Sequence, residues 1–195
     1  MAGAQGKVGR PRSEEARASV LHAVDDLVLE LGYGDVTLKG IAERAGVSRQ
    51  TVYRWWSTKA EILLEATAID ARQELDVPAH DDPVAELVAY LDALIAFLTT
   101  STAGLAYRAL LGEAQHDKTV DELLRGNDVL GESAAAIITR AFPDDELVVP
   151  MPQATALLVG PLFFWLLTGR SPEALDPRTL AVDFIRNATS RPLGN

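Results

Sequence analysis

Hydrophobic residues recur at helical spacing along almost the whole of this 195-residue chain, and this periodicity constrains the fold more than any other feature. In the N-terminal part, Val20, Val24, Leu27 and Leu31 repeat at intervals of three and four residues. The strict alternation of polar and apolar residues that is typical of a half-buried strand is nearly absent. The sequence therefore predicts an all-α protein of about nine helices.

Capping residues and prolines predict where these helices begin. The candidate N-caps of the first three helices are Ser13, Thr37 and Ser48, and Gly46 is expected to end the second helix. Thr58 with Glu61 forms a T-x-x-E capping box for the fourth. Asp176 precedes Pro177, the favoured residue at a first helical position. The nine helices are expected at about 13–31, 37–45, 48–55, 58–75, 83–100, 103–114, 118–141, 151–168 and 177–190.

The composition excludes several classes of protein. The chain has no cysteine, so disulfide frameworks, zinc fingers and cysteine nucleophiles are excluded. Its three histidines are scattered without metal-ligand spacing, and it contains neither a phosphate-binding loop nor a G-x-S-x-G motif. We therefore expect no enzyme activity, no metal site and no cofactor.

The sequence also carries no targeting or membrane-spanning signal. The N-terminus lacks the apolar core of a signal peptide. The longest apolar stretch, 154–167, is shorter than the roughly 20 residues that cross a bilayer. We expect a cytoplasmic protein without a membrane partner.

The charge is unevenly distributed, although its total is −10. Residues 1–59 contain nine Lys and Arg against seven Asp and Glu, which gives +2. Residues 60–195 contain nine against 21, which gives −12. The asymmetry indicates an anionic partner for the N-terminal part alone.

Residues 37–56 have the spacing of a helix-turn-helix, because a helix and a very short helix are joined through a turn at Gly46. So short a second helix cannot be stable alone and must be held by packing, for which Val52 and Trp56 are suited. Its opposite face carries polar side chains that can contact DNA: Arg49, Gln50, Tyr53 and Arg54.

The chemistry of this face fits double-stranded DNA. An arginine such as Arg49 can bond a guanine edge with two hydrogen bonds, and a glutamine such as Gln50 can do the same for adenine. Thr51 and Tyr53 are suited to phosphate oxygens, and Lys59 adds a positive charge beside them.

The same segment resembles the TetR family of bacterial transcriptional regulators, closely over residues 10–66 and only in architecture beyond them. The matching residues are Gly32-Tyr33, Thr37, Ile41-Ala42, Ala45-Gly46-Val47-Ser48, Thr51-Val52-Tyr53, Trp56 and Lys59. The resemblance implies a helix-turn-helix DNA-binding domain at 13–58, followed by a helical effector-binding and dimerisation domain at 59–195. We expect residues 1–12 to be a flexible basic arm that either enters a minor groove or is an ordinary chain end.

The resemblance also implies roles for individual residues. It places base-reading contacts on Arg49 and Gln50, and phosphate contacts on Thr37, Ser48, Thr51, Tyr53 and Lys59. The family often has histidine and phenylalanine where this chain has Trp55 and Trp56; Trp56 can fill the same packing role, whereas Trp55 cannot repeat the hydrogen bonding of histidine. The complete set of candidate DNA contacts is Thr37, Ser48, Arg49, Gln50, Thr51, Tyr53, Arg54, Trp55 and Lys59.

The helix at 151–168 is apolar on every side, which is more than one monomer core requires. We expect it to form a two-fold dimer interface together with the last helix; the alternative is a central core helix. The candidate interface residues are Leu158, Leu162, Trp165, Leu166, Phe184 and Ile185.

A pocket for a small-molecule effector, which the resemblance implies, should be mostly apolar with a few polar groups. Its candidate lining residues are Tyr90, Leu94, Phe97, Tyr107, Leu111, Gln115, His116 and Phe163. The expected protein is thus a dimeric repressor that binds palindromic operator DNA and is released by an unknown effector. The alternatives are a regulator without an effector, and an activator.

Overall fold

The structure is a computed structural model that describes residues 9–143 and 146–190. Apart from one isolated bridge between Leu147 and Thr189, every regular element in these residues is helical. The elements are α1 Gly9–Leu31, α2 Leu38–Arg44, α3 Arg49–Tyr53, α4 Lys59–Glu74, α5 Pro83–Thr100, α6 Thr102–Ala114, α7 Lys118–Arg125, α8 Val129–Ala141, α9 Met151–Leu167 and α10 Pro177–Ala188, with a 3₁₀ turn at Pro172–Ala174. The predicted all-α class is confirmed.

Two of the predicted helix boundaries are wrong. The first helix begins at Gly9, so Ser13 lies inside it and is not its N-cap. The single helix expected at 118–141 is two helices, since Gly126 ends α7 and the side chain of Asp128 caps α8 by accepting a hydrogen bond from the Gly131 N–H. Of the proposed arm, residues 1–8 lie outside the described residues.

The described residues form two compact units. The first contains residues 9–69 and 105–126, and the second contains residues 70–104, 127–143 and 146–190. The division runs through α4 and α6, both of which contribute residues to each unit. The domain boundary expected at residue 58 stays a prediction.

The first unit is built around the contacts of α1 with α2 and α3. Its core contains Val20, Val24, Ile41 and Val52, all fully buried, which are the residues that the helical periodicity places on inward faces. The α2–α3 corner closes at Gly46, whose φ of 67° lies in the left-handed region. The Gly46 N–H donates to the Glu43 carbonyl and the Val47 N–H to the Ala42 carbonyl, which is the Schellman ending of a helix.

The second unit is built around α5, which packs against α8 and α10, while α9 packs against the same two helices. By length and hydropathy α5 would also pass as a membrane span. A core helix passes the same test, and α5 has core residues along its length together with the buried Glu86. Glu86 accepts hydrogen bonds from the Arg140 guanidinium and the His80 N–H, so its burial is compensated.

The left-handed turn at Gly46 can be tested with a matched pair of glycines. A Cβ added at Gly46 or at Gly112, within α6, meets no atom within 4 Å. Gly46→Ala should lower the free energy of unfolding by about 1–2 kcal/mol, because a Cβ disfavours the left-handed conformation. Gly112→Ala should raise it by up to about 1 kcal/mol, because alanine is the better helix former. Urea unfolding followed by circular dichroism measures both, and a change of the same sign in the two variants would contradict this account of the turn.

Candidate nucleic-acid interface

Side-chain caps hold the two helices of the helix-turn-helix in place. The Thr37 hydroxyl accepts a hydrogen bond from the Gly40 N–H at 3.1 Å and starts α2. The Ser48 hydroxyl accepts from the Thr51 N–H at 3.1 Å and starts α3, and it lies 2.9 Å from the Thr51 hydroxyl. Three of the predicted phosphate contacts therefore also define the backbone geometry of the motif.

Trp56 anchors the short helix α3 from its C-terminal side. Its side chain is 4% exposed, and the indole N–H donates to the Glu65 carboxylate of α4 at 2.9 Å. The other Glu65 oxygen lies 2.6 Å from the Arg17 guanidinium of α1. Together with the buried Val52, these contacts join α3 to α1 and α4.

The opposite face of α3 is open to solvent. Arg49 and Gln50 are exposed, and the Tyr53 side chain is 59% exposed, which is uncommon for a large aromatic residue. A shallow depression on this face is lined by Ser48, Gln50, Thr51, Tyr53 and Arg54. The structure thus brings hydrogen-bond donors and acceptors together on one surface beside an exposed guanidinium, which suits base edges and phosphates.

Arg54 is exposed and Trp55 is half-buried, and both, although predicted to contact DNA, also have partners within the chain. The Arg54 guanidinium donates to the Ser13 hydroxyl at 3.0 Å and lies 4.5 Å from the centre of the Trp55 ring. Trp55 in turn meets Trp56 edge to face, at 5.4 Å between ring centres. Both residues help to fix the end of α3 against α1, and a direct DNA contact by either stays a prediction.

Lys59 also has internal partners. Its ammonium donates to the main-chain carbonyls of Tyr33 and Gly34 and lies 4.3 Å from the centre of the Tyr33 ring. Burial lowers the pKa of Lys59, while Glu113 acts in the opposite direction. Burial first, and then the charges of Glu113 and Asp117, raises the pKa of Tyr33 to about 12, so the phenol stays neutral at physiological pH.

One residue and one contact in this region have no clear signal in the sequence. Glu65 accepts a hydrogen bond from the Trp56 indole N–H. The sequence indicates only that a buried indole N–H needs an acceptor, not which residue supplies it. Tyr33 and Lys59 were both recognised as parts of one motif, but nothing in their spacing of 26 residues indicates that they touch.

The eight candidate effector-pocket residues are divided between the two units. Tyr90, Leu94 and Phe97 are fully buried in the second unit, where Phe163 is half-buried. The remaining four belong to the first unit; of them Tyr107 is buried, Leu111 is half-buried, and Gln115 and His116 are exposed. A pocket formed by these residues stays a prediction.

The second unit contains a cleft of about 410 Å³ between the end of α4 and α8. Its floor is apolar, and two arginines and two carboxylates stand around it. It is lined by Ala71, Arg72, Leu75, Asp76, Val129, Glu132, Ser133, Ala136, Ile137 and Arg140, none of which was a predicted pocket residue. Over the described ranges, no three His, Cys, Asp or Glu side chains are grouped to hold a metal ion.

The predicted dimer residues are mostly core residues of their own chain. Leu158, Leu162 and Leu166 of α9 are buried, as are Phe184 and Ile185 of α10, while Trp165 is half-buried and donates to the Ser171 carbonyl at 2.8 Å. These buried side chains therefore do not form an exposed surface of α9 or α10 that a second copy could contact. The exposed apolar stripe of α9 lies on its other side and consists of Leu157, Pro161, Phe164 and Leu167.

Comparison with known proteins agrees with this geometry. Residues 20–66 match the family of bacterial regulatory proteins called tetR, and residues 77–184 match the tetracyclin repressor-like C-terminal domain. The HTH-type transcriptional regulator YdeS of Bacillus subtilis (strain 168) is 34% identical over 167 residues, which are 84% of each chain.

A second relative, the HTH-type transcriptional regulator Rv2912c of Mycobacterium tuberculosis, is 33% identical over 145 residues, 69% of this chain and 71% of the relative. The crystal structure of the TetR family transcription regulator SCO0332 has a TM-score of 0.69 and is 27% identical. That match covers 88% of this chain and 96% of SCO0332.

Proposed function

This chain belongs to the tetR family of bacterial regulatory proteins and is a helix-turn-helix transcriptional regulator; we propose that it is a cytoplasmic repressor that an effector releases from its operator. The observation that carries the proposal is the two-sided construction of α3. One side is anchored through Val52 and Trp56, and the other presents Arg49, Gln50 and Tyr53 to solvent. A rigid helix with exposed polar side chains is what reading a major groove requires.

In this proposal Gln50 and Arg49 read base edges, while Tyr53 and the capping hydroxyls contact phosphates. The charge distribution supports the orientation, since residues 1–59 carry +2 and residues 60–195 carry −12. The acidic part is repelled by phosphates, which disfavours non-specific association in other orientations.

Self-association is proposed through the exposed stripe of α9. Phe164 and Leu167 are 60% and 59% exposed, and with Leu157 and Pro161 they form a continuous apolar row. A second copy of the chain would bury this row by a two-fold contact. Two copies related in this way read two half-sites one helical turn apart, roughly 34–36 Å, which predicts a palindromic operator.

The proposed effector site is the cleft between α4 and α8. Its volume of about 410 Å³ lies within the range of small-molecule sites. Its apolar floor and its surrounding Arg72, Asp76, Glu132 and Arg140 suit a ligand with an apolar body and polar ends. The helix α4 begins beside the DNA-binding motif and ends at this cleft, so a ligand that prefers one conformation of α4 can alter DNA affinity.

Gln50 is expected to determine base preference. Selection of bound duplexes from a random-sequence pool should give an inverted repeat for the wild-type chain. Gln50→Ala should lose the preference at one position of each half-site, about 1–3 kcal/mol of discrimination. Tyr53→Phe should keep the preference and bind more weakly, and Arg178→Ala, an exposed change on α10, should match the wild type. If Gln50→Ala selects the wild-type sequence unchanged, the base-reading assignment is wrong.

The α9 stripe is expected to hold the dimer. Phe164→Glu places a charge in the proposed interface and should convert the dimer to a monomer at micromolar concentration, as measured by light scattering. Val148→Glu, at an apolar residue that is 61% exposed, serves as the control and should remain dimeric. A wild-type chain that is monomeric at this concentration contradicts the proposed interface.

The cleft is tested by a compound library screened for an increase in melting temperature, because a ligand of the folded state stabilises it by mass action. Ala136→Trp should fill the cleft from its exposed wall and abolish the increase for any ligand bound there. Binders that also weaken DNA binding should lose both effects in this variant. A DNA-releasing compound that is unaffected by Ala136→Trp would place the effector site elsewhere.

A further inference from the structure

Two separate parts of the recognised motif, Gly32-Tyr33 and Lys59, meet in the first unit. Tyr33 and Gly34 lie in the turn between α1 and α2, and Lys59 is the first residue of α4. The Lys59 ammonium donates to both main-chain carbonyls, at 3.1 Å for Gly34, and lies 4.3 Å from the centre of the Tyr33 ring. We call these three residues the Lys59 clamp.

The Lys59 ammonium is surrounded by groups of the same chain rather than by solvent alone. A lysine has three donors, and two of them are directed at carbonyls that otherwise require a partner. The Tyr33 ring offers its negative face to the same charge. The Lys59 side chain is half-buried, whereas Arg49 on α3 is exposed. The carboxylates of Glu113 and Asp35 lie within electrostatic range of the Lys59 ammonium and favour its charged form.

We propose that Lys59 is a positioning residue for DNA recognition, which fixes the α1–α2 turn to the start of α4 and does not neutralise a phosphate. This inference rests on the proposed DNA-binding function and adds to it a role for a residue that the family resemblance assigns to phosphate contact. The turn leads directly into the buried Val36 and the Thr37 cap, so its placement sets where α2 begins. The position of α2 in turn sets that of α3.

The two roles of Lys59 differ in their dependence on salt. Removing a lysine that neutralises a phosphate lowers the slope of log K against log salt by about 0.9. Removing a positioning lysine lowers the fraction of molecules that are competent to bind, which weakens affinity equally at every salt concentration. The slope therefore separates the roles even where the loss of affinity is the same.

The test measures affinity for a duplex selected by the wild-type chain, over a series of NaCl concentrations and well below the melting temperature of every variant. Lys59→Met should weaken binding about tenfold, the size expected for losing hydrogen bonds to a charged group, with the salt slope unchanged. Lys59→Arg should restore most of the affinity, because a guanidinium can also donate to the carbonyls and stack on the ring. Arg49→Met is the contrasting variant: it removes a proposed base-reading side chain and should relax the preference at one base pair, which Lys59→Met should leave intact.

The DNA affinity of Tyr33 variants gives a second test of the contact between the Tyr33 ring and the Lys59 ammonium. Tyr33→Phe keeps the ring and should bind as the wild type does, whereas Tyr33→Leu should bind more weakly. The losses in Tyr33→Leu and Lys59→Met should be less than additive when combined, because both remove one contact.

Three results would overturn the proposal. They are a slope that falls by about 0.9 in Lys59→Met, losses that add fully in the double variant, and unchanged affinity in Lys59→Met. If the wild-type chain binds no duplex, the proposed DNA-binding function fails. If the wild-type chain binds but the salt slope of Lys59→Met falls, only the proposed role of Lys59 fails.

Discussion

The anchoring of α3 is the constraint on which the rest of the structure depends. A helix of five residues, Arg49–Tyr53, has too few hydrogen bonds to be stable alone. Its conformation is maintained by the Ser48 cap before it, by the buried Val52 within it, and by Trp56 after it. The Trp56 indole donates to Glu65 of α4, and Glu65 pairs with Arg17 of α1, so α1 and α4 must both be in place before α3 has a defined surface.

Four positive charges near this anchor differ in their contacts. Arg17, Arg54 and Lys59 hold helices and turns together through internal contacts with Glu65, Ser13 and the Tyr33–Gly34 carbonyls. Arg49 stands on the exposed face of α3 and is available to an external anion. In the proposed complex with DNA, the small net charge of +2 over residues 1–59 leaves few cations for phosphates, so specificity is expected to depend on a few well-placed side chains.

Much of the fold could be predicted from the sequence because its signals are local. The Thr37, Ser48 and Asp176 caps and the glycine ending at Gly46 are confirmed, since each involves residues within a few positions. The break between α7 and α8 was missed because continuous apolar spacing outweighed the Gly126-Asn127-Asp128 signal.

A helix that is apolar on every side does not show which side faces outward. For this reason the predicted dimer residues of α9 lie on its core face. The cleft lies between residues 71–76 at the end of α4 and residues 129–140 of α8. These segments are more than 50 residues apart in the chain, and no sequence pattern indicates that they come together.

The most direct test of this account is amide hydrogen exchange of the full chain, free and bound to its selected duplex. In the free chain, the amides of α3 should be protected together with those of α1 and the first turns of α4, because α3 opens only when its anchor does. Binding of the duplex should add protection over residues 37–54 and leave α7, Lys118–Arg125, unchanged. Exchange of α3 at the rate of an unstructured peptide in the free chain, or no added protection over 37–54 with DNA, would contradict it.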